Sequence, residues 1–368
     1  MKKILGVVIV VIIVILIIAL SGGKKGEAGP IRIGFVGPLT GDLTALGAAS
    51  RAAAEIAVDE FNKAGGLDGR NVQLIAEDGK CSPAPATSAA QKLINVDKVA
   101  AVVGGLCSGE TTAIMSVATP AQVPVVAYCS SAPSLSSAGA YFFRTYPSDA
   151  YQGKYAAEYA YNTLGARKVA VLYHISDWGT GIKEVFSKRF SELGGTVVAE
   201  EGTAQEVRDY KTQLSKIKAL APDYLYTPMY TEGALVAVQQ MFDLGIKAKI
   251  LGADAWGDTK FVQEVNKKAD ILFVGASVPE NAEFNTKVLT KIGGTQVPTC
   301  APQAYDAART VLMALKENKG IGADLAGTIR SIHFTGISGP IQFDQNGDMT
   351  SAVYSVKRIQ DGKTVEVK

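Results

Sequence analysis

The chain has 368 residues, 37 Lys and Arg against 35 Asp and Glu, and a formal net charge of +2. Both signs are mixed along its length, which excludes a basic nucleic-acid stripe or an acidic tail as the basis of function. Its two histidines and four cysteines are scattered without ligand spacing, which argues against a metal centre.

MKK is followed by an unbroken apolar run, ILGVVIVVIIVILIIAL, over residues 4–20. The run is short for a membrane span and long for a cleaved signal core, so a signal peptide and a retained membrane anchor are both open. Residues 21–30, SGGKKGEAGP, read as a polar linker. Either leader places the rest of the chain outside the membrane, in the periplasm or on the extracellular face. Beyond it lie about 340 residues, enough for two ordinary domains. Four cysteines in an oxidising compartment predict one or two disulfides.

From residue 31 strands and helices alternate. IRIGFVG is a short apolar strand, and residues 45–63 repeat apolar positions at helical spacing, with Ile56 and Phe61 on the buried face. NVQLIAED, VAAVVGG, VPVVAY, KVAVLYH, TVVAEE, DYLYTP and KILGAD follow as strands. Helical stretches over residues 86–94, 181–193, 210–219 and 231–244 separate most of them. This alternation predicts an α/β fold of doubly wound parallel sheets with helices on both faces. FNKAGG at residues 61–66 recurs as FSELGG at 190–195, each after a strand, a polar loop and a helix, so two similar lobes are expected. The expected division is 1–30 leader and linker, 31–148 with 277–351 for the N-terminal lobe, and 149–276 with 352–368 for the C-terminal lobe. Several crossings between lobes would make a multi-strand hinge. IQFDQNGDMTSAVYSVKRI reads as a hairpin turning at Asn346-Gly347.

Residues 104–111, GGLCSGET, have the glycine spacing of a phosphate loop but carry Glu110 where that motif needs lysine. A carboxylate there repels phosphate, whereas a helix N-terminus still suits a singly charged anion. A plain N-cap by Ser108 is the alternative. A second small-polar turn, YCSSAPS at 128–134, ends the next strand, and ligands of open parallel sheets gather at such strand ends. Hydroxyls of Ser108, Ser130 and Ser131 could then form one anion cradle, although serines also simply populate turns. In the second lobe the strand ends carry HISDWGTG, PMYTEG and GADAWGD. Trp178 and Tyr230 there are candidate covers for a small ligand, and Asp254 is a candidate cation holder. Core packing is the alternative for each aromatic.

Cys107 could be a nucleophile, a disulfide arm or packing beside a ligand. Catalysis by Cys107 or Ser108 would need His174 or His333 as base, with Asp177 behind it, and no spacing signature supports that. Asp344 to Asp348 loosely follows a calcium loop, but the twelfth position is Ser355 instead of glutamate. No cofactor is expected.

Six stretches in order, IRIGFVGPLTGDLTALG, FNKAGGLDGR, EDGKCSPAPA, VVGGLCSGETT, YCSSAPSLS and FDQNGD, resemble the extracellular branched-chain amino-acid binding proteins of ABC transporters, the type I periplasmic binding proteins. The resemblance covers residue 31 to the C-terminus. It implies a disulfide between Cys81 and Cys107, closing a ring of about 27 residues whose entropy is worth roughly 3 kcal/mol. It leaves Cys129 and Cys300 either paired or free. Ser108 and Ser131 would bind an α-carboxylate through their hydroxyls, helped by main-chain groups around Cys129 and Ser131. Asp254 would hold the α-ammonium, Trp178 and Tyr230 would close over the ligand, and Leu46 and Leu106 would line its side-chain pocket. Relatives that prefer leucine or valine often have tyrosine in place of Leu46 and of Trp178, and glutamate in place of Asp254. The implied function is capture of a small amino acid, aliphatic first, for an ABC permease. Another amino acid, a small amide or an aromatic acid, or a sensory receptor role on the same fold, are the alternatives.

Overall fold

The computed structural model describes residues 29–265, 270–320 and 324–367, so the apolar leader lies outside the described residues. The first strand, β1 (Ile31–Gly37), is buried at every position but Arg32. It can be so because it is central: β2 (Val72–Asp78) flanks it on one side and β3 (Val102–Val103) on the other, both parallel. β4 (Val125–Ala127) and β5 (Phe142–Arg144) complete a five-stranded sheet in the order β2-β1-β3-β4-β5.

A second sheet repeats this winding. β6 (Lys168–His174), β7 (Thr196–Thr203), β8 (Tyr224–Thr227), β9 (Lys249–Gly252) and β10 (Ile271–Ala276) lie in the order β7-β6-β8-β9-β10. In both sheets the order reverses beside the first strand, and a crevice opens at the strands' carboxyl ends at such a point. The FNKAGG and FSELGG segments close the first helix of each lobe, Thr44–Lys63 and Asp177–Glu192. Gly66 (φ +61°) and Gly194 (φ +91°) take the left-handed turn there that a Cβ would strain.

β11 (His333–Thr335) and β12 (Pro340–Gln342) form a separate antiparallel pair. β13 (Tyr354–Gln360) extends the second sheet antiparallel to β10, and β14 (Lys363–Glu366) pairs antiparallel with β13. This corrects the hairpin expected around Asn346-Gly347. The turn is there, with Asp344 N–H donating to the Asp348 carbonyl at 2.8 Å. Only Phe343 and Met349 pair across it, however, and the chain then crosses to the other lobe. The buried Arg144 guanidinium holds Asp348 at 2.7 Å, fastening the turn to β5 and leaving β13 to pair with β10. The signal of an Asn-Gly turn is local and does not fix where the following strand pairs.

The chain passes between lobes after β5, after β10 and before β13. These crossings lie side by side: Ser277 N–H donates to the Val353 carbonyl at 2.8 Å, and Tyr354 OH donates to the Ser148 carbonyl at 3.2 Å. The helix Ala301–Glu317 packs its alanine-rich face, including Ala304, Ala307 and Ala308, on the helix Thr44–Lys63, covering the first sheet. Two disulfides, Cys81–Cys107 and Cys129–Cys300, have Cα separations of 5.3 and 5.5 Å.

Candidate functional site

β3 is followed by Gly104-Gly105 and the chain turns into the helix Ser108–Ala118. Glu110 fixes this turn from inside. Its Oε2 accepts from the N–H groups of Leu106 (3.1 Å) and Cys107 (3.0 Å), and its Oε1 from that of Cys81 (2.8 Å). Burial pushes the Glu110 carboxyl up to about 7 against the pull of these three donors. The side chain that argued against a phosphate loop is therefore the clamp that shapes the turn and ties it to the loop of Cys81.

The residue capping that helix is Cys107, not Ser108. Ser108 Oγ accepts from Ala132 N–H at 3.1 Å, so its own proton is left to donate into the space between the lobes. Ser131 is also buried there. Ser130 is not part of the cradle. Its hydroxyl reaches the carbonyls of Gly105 (3.0 Å) and Leu106 (3.3 Å) and lies 2.6 Å from Thr111 Oγ1, so it braces the neighbouring turn and faces away from the cavity.

From the second lobe, Trp178 stands on the first turn of the helix Asp177–Glu192, whose Ser176 cap accepts from Gly179 N–H at 3.1 Å. Gly179 is required here, because a Cβ would lie 2.2 Å from the His174 carbonyl oxygen. Tyr230 stacks on Trp178, with centroids 4.6 Å apart and planes at 27°. Its N–H donates to His174 Nδ1 at 3.1 Å. Burial, with the Arg208 charge second, lowers the His174 pKa to about 4, so the ring is a neutral acceptor.

Asp254 begins the short helical turn after β9 and is 6% exposed. Its Oδ1 accepts from Gln152 Nε2 (3.2 Å) and Ala255 N–H (3.1 Å). Burial raises its pKa, and the nearby Asp149, itself fully buried, is raised well above its ordinary value by burial and then by the charge of Asp254. Among the described residues Asp254 has no ion-pair partner. A buried carboxylate without a cation is unfavourable unless something else supplies one.

These pieces meet in one cavity between the lobes. Leu46, Leu106, Ser108, Cys129 and Ser131 line it from the first lobe, and Trp178, Tyr230 and Asp254 from the second. Donor hydroxyls thus face an acceptor carboxylate across a largely apolar space, as recognition of a small zwitterion requires. Ala255, Thr299 and Cys300 also line it and were missed. Thr299 and Cys300 belong to an irregular segment before the helix Ala301–Glu317, where no periodicity marks a strand end. An unassigned fourth cysteine was the available signal.

The triad of Cys107, His174 and Asp177 is not assembled. The Cys107 sulfur is bonded to Cys81, His174 Nδ1 is engaged by Tyr230, and Asp177 Oδ2 accepts from Thr112 Oγ1 at 2.8 Å. Asp348 is held by Arg144 and Ser136, so the loosely calcium-like loop has its carboxylate committed. No group of three metal-binding side chains occurs among the described residues.

The family description "periplasmic binding protein" matches residues 30–363. The chain belongs to the periplasmic binding protein family. This is a family of substrate-binding proteins, and the architecture above is its type I fold. Among similar periplasmic binding proteins is Leu/Ile/Val-binding protein homolog 3 of Brucella melitensis, 27% identical over 91% of this chain and 93% of that one. The leucine-, isoleucine-, valine-, threonine- and alanine-binding protein of Pseudomonas aeruginosa is 26% identical over 93% of each chain. The crystal structure of the branched-chain amino acid transporter substrate binding protein LivJ of Streptococcus pneumoniae, in complex with isoleucine, superposes with a TM-score of 0.82. It is 30% identical and covers 92% of this chain and 100% of that one.

Proposed function

We propose that this protein is the substrate-binding component of an ABC importer and captures a small aliphatic amino acid, branched-chain types first, between its lobes. One observation carries the reading: the donor hydroxyl of Ser108 and the carboxylate of Asp254, which forms no ion pair among the described residues, line one cavity whose remaining walls are mostly apolar. The α-carboxylate lies against Ser108, Ser131 and the turn around Cys129, and the α-ammonium lies against Asp254. Leu46 and Leu106 take the side chain, while Trp178 and Tyr230 cover it. The relatives named for leucine, isoleucine and valine support this class of ligand. Binding is completed by hinge closure at the three crossings, which excludes water from the charge pairs.

No chemical step is performed on the ligand. The closed protein delivers it to a membrane permease, outside the membrane in which the leader directs or anchors it. Among the described residues no helix is long and apolar enough to cross a membrane. The deciding experiment is a thermal-shift screen of amino acids, small amides and aromatic acids, since a ligand bound by the native state alone raises its melting temperature. Leucine, isoleucine or valine should give the largest shifts, and a shift confined to amides or aromatic acids would overturn the assignment.

A further inference from the structure

The amino-acid cavity has a neighbour. An open cleft of about 510 Å³ lies on the hinge side, and three residues, Asp254, Thr299 and Cys300, line both spaces. Between them the first lobe contributes a thin wall, residues 295–300, which lines the cleft along its whole length. This wall follows Gly293 and Gly294, both at positive φ, and contains no helix or strand. Cys300 itself sits in the left-handed region at φ +75°, where the wall ends at the start of the helix Ala301–Glu317. Two ties fix its far end. Thr299 fits into the space left by Gly257, where a Cβ would come within 2.4 Å of Thr299 Oγ1, and Cys300 is bonded to Cys129. Cys129 lies in the turn with Ser130 and Ser131.

We propose that the Cys129–Cys300 disulfide is the partition of the binding site: it pins the wall to the carboxylate-binding turn, closes the amino-acid cavity against the outer cleft, and thereby sets the size of ligand admitted. This rests on the amino-acid reading above. The two sulfurs give the cavity an apolar, polarisable surface beside Asp254 and Thr299, suited to a small aliphatic ligand. The bond spans 171 residues of sequence but only 5.5 Å between Cα atoms. Cutting it leaves an irregular segment without its covalent tie, and the cavity can then merge with the cleft. A dithiol does this by donating two electrons and two protons to the disulfide, leaving Cys129 and Cys300 as thiols and becoming a cyclic disulfide itself.

The test uses the full chain, its Cys129→Ala/Cys300→Ala variant and a Cys81→Ala/Cys107→Ala variant as the control with the other bond removed. The first readout needs no ligand: deuterium exchange of a peptide covering residues 294–300 should speed up at least ~10-fold in the first variant and much less in the control. The second is the ratio of Kd values for phenylalanine and valine. It should fall at least ~10-fold in the first variant, because valine loses its wall and phenylalanine gains room. Unchanged exchange, or an unchanged ratio in a folded variant, overturns the partition. If Cys129→Ala/Cys300→Ala fails to fold, the Cys81→Ala/Cys107→Ala protein with and without dithiothreitol isolates the same bond, with the same two expected changes. Failure of the unmodified protein to bind any amino acid sinks the functional reading by itself, and the exchange readout still decides the partition.

Discussion

Gln152 donates its Nε2 to Asp254 Oδ1 at 3.2 Å, joining the helix Asp149–Glu158 to the carboxylate that follows β9. Both side chains are buried. The bond orients an anion that forms no ion pair among the described residues, so its effect should appear in affinity more than in stability. Gln152→Leu is expected to weaken amino-acid binding about 10-fold, corresponding to ~1.4 kcal/mol, within the usual range for a hydrogen bond to a charged group. Isothermal titration beside a melting curve separates this from unfolding; unchanged affinity would remove Gln152 from the site.

Glu110 is expected to matter for the opposite reason. Replacing it with glutamine leaves one oxygen for the three N–H groups of Cys81, Leu106 and Cys107, and turns an amide donor toward at least one of them. Denaturation at pH 8, where the wild-type carboxyl is ionised, should show Glu110→Gln less stable by about 1–3 kcal/mol. The difference should widen as pH falls from about 7 toward 4.5, because the raised pKa means that protonation stabilises the folded wild type and does nothing for the glutamine variant. Equal stability at pH 8 would mean that the turn holds its shape without the clamp.

His174 predicts a pH effect of known sign. Its pKa is about 4 when folded against 6.5 as the ordinary value. The stability it provides is therefore complete above pH 6.5 and is lost as pH falls from 6.5 through 4, with a total on the order of 3 kcal/mol. Glu110 runs the other way, since its raised pKa supplies stability below 4.5 that is lost as pH rises through about 7. Subtracting the curve of His174→Asn, whose side-chain oxygen can still accept from Tyr230 N–H, cancels Glu110. The wild-type advantage should decline on acidification from pH 7 to pH 4.5, and a flat difference would contradict a neutral buried imidazole.

The lobes also touch through side chains that do not line the cavity. Arg208 pairs with Asp42, and Thr112 Oγ1 donates to Asp177 Oδ2 at 2.8 Å. Both members of the Arg208 pair are well exposed, so the pair should bias closure only slightly. Asp42→Ala is expected to raise the ligand Kd by no more than ~5-fold at low salt, with the difference fading in 0.5 M salt as the Debye length shortens. A larger, salt-independent loss would place Asp42 in direct contact with the ligand.

Much of this architecture was legible because strand and helix periods are local signals. IRIGFVG and KVAVLYH give the central strands of the two sheets, and the FNKAGG and FSELGG repeat marks equivalent helix ends. The candidate residues at strand ends were legible for the same reason, since doubly wound sheets gather ligands there. Three things were not. Ser130 looks no different from Ser131 in sequence, and only the carbonyls of Gly105 and Leu106 reveal which hydroxyl is internal. Thr299 and Cys300 reach the cavity from an irregular wall that has no period to detect. After Asn346-Gly347 the chain pairs with β10, and the turn itself is held by Arg144, about 200 residues earlier; neither contact is encoded by a local pattern.

The most direct test titrates leucine and valine into the protein and into Asp254→Asn by calorimetry. A micromolar or tighter complex should form with the wild type and weaken at least ~30-fold, equivalent to ~2 kcal/mol or more, when the charge facing the ammonium is removed. The ligand-free melting temperature should stay level or rise, because a buried charge beside Asp149 has gone. Binding that changes less than ~3-fold would show that Asp254 does not hold an ammonium, and the zwitterion account of the cavity would fall.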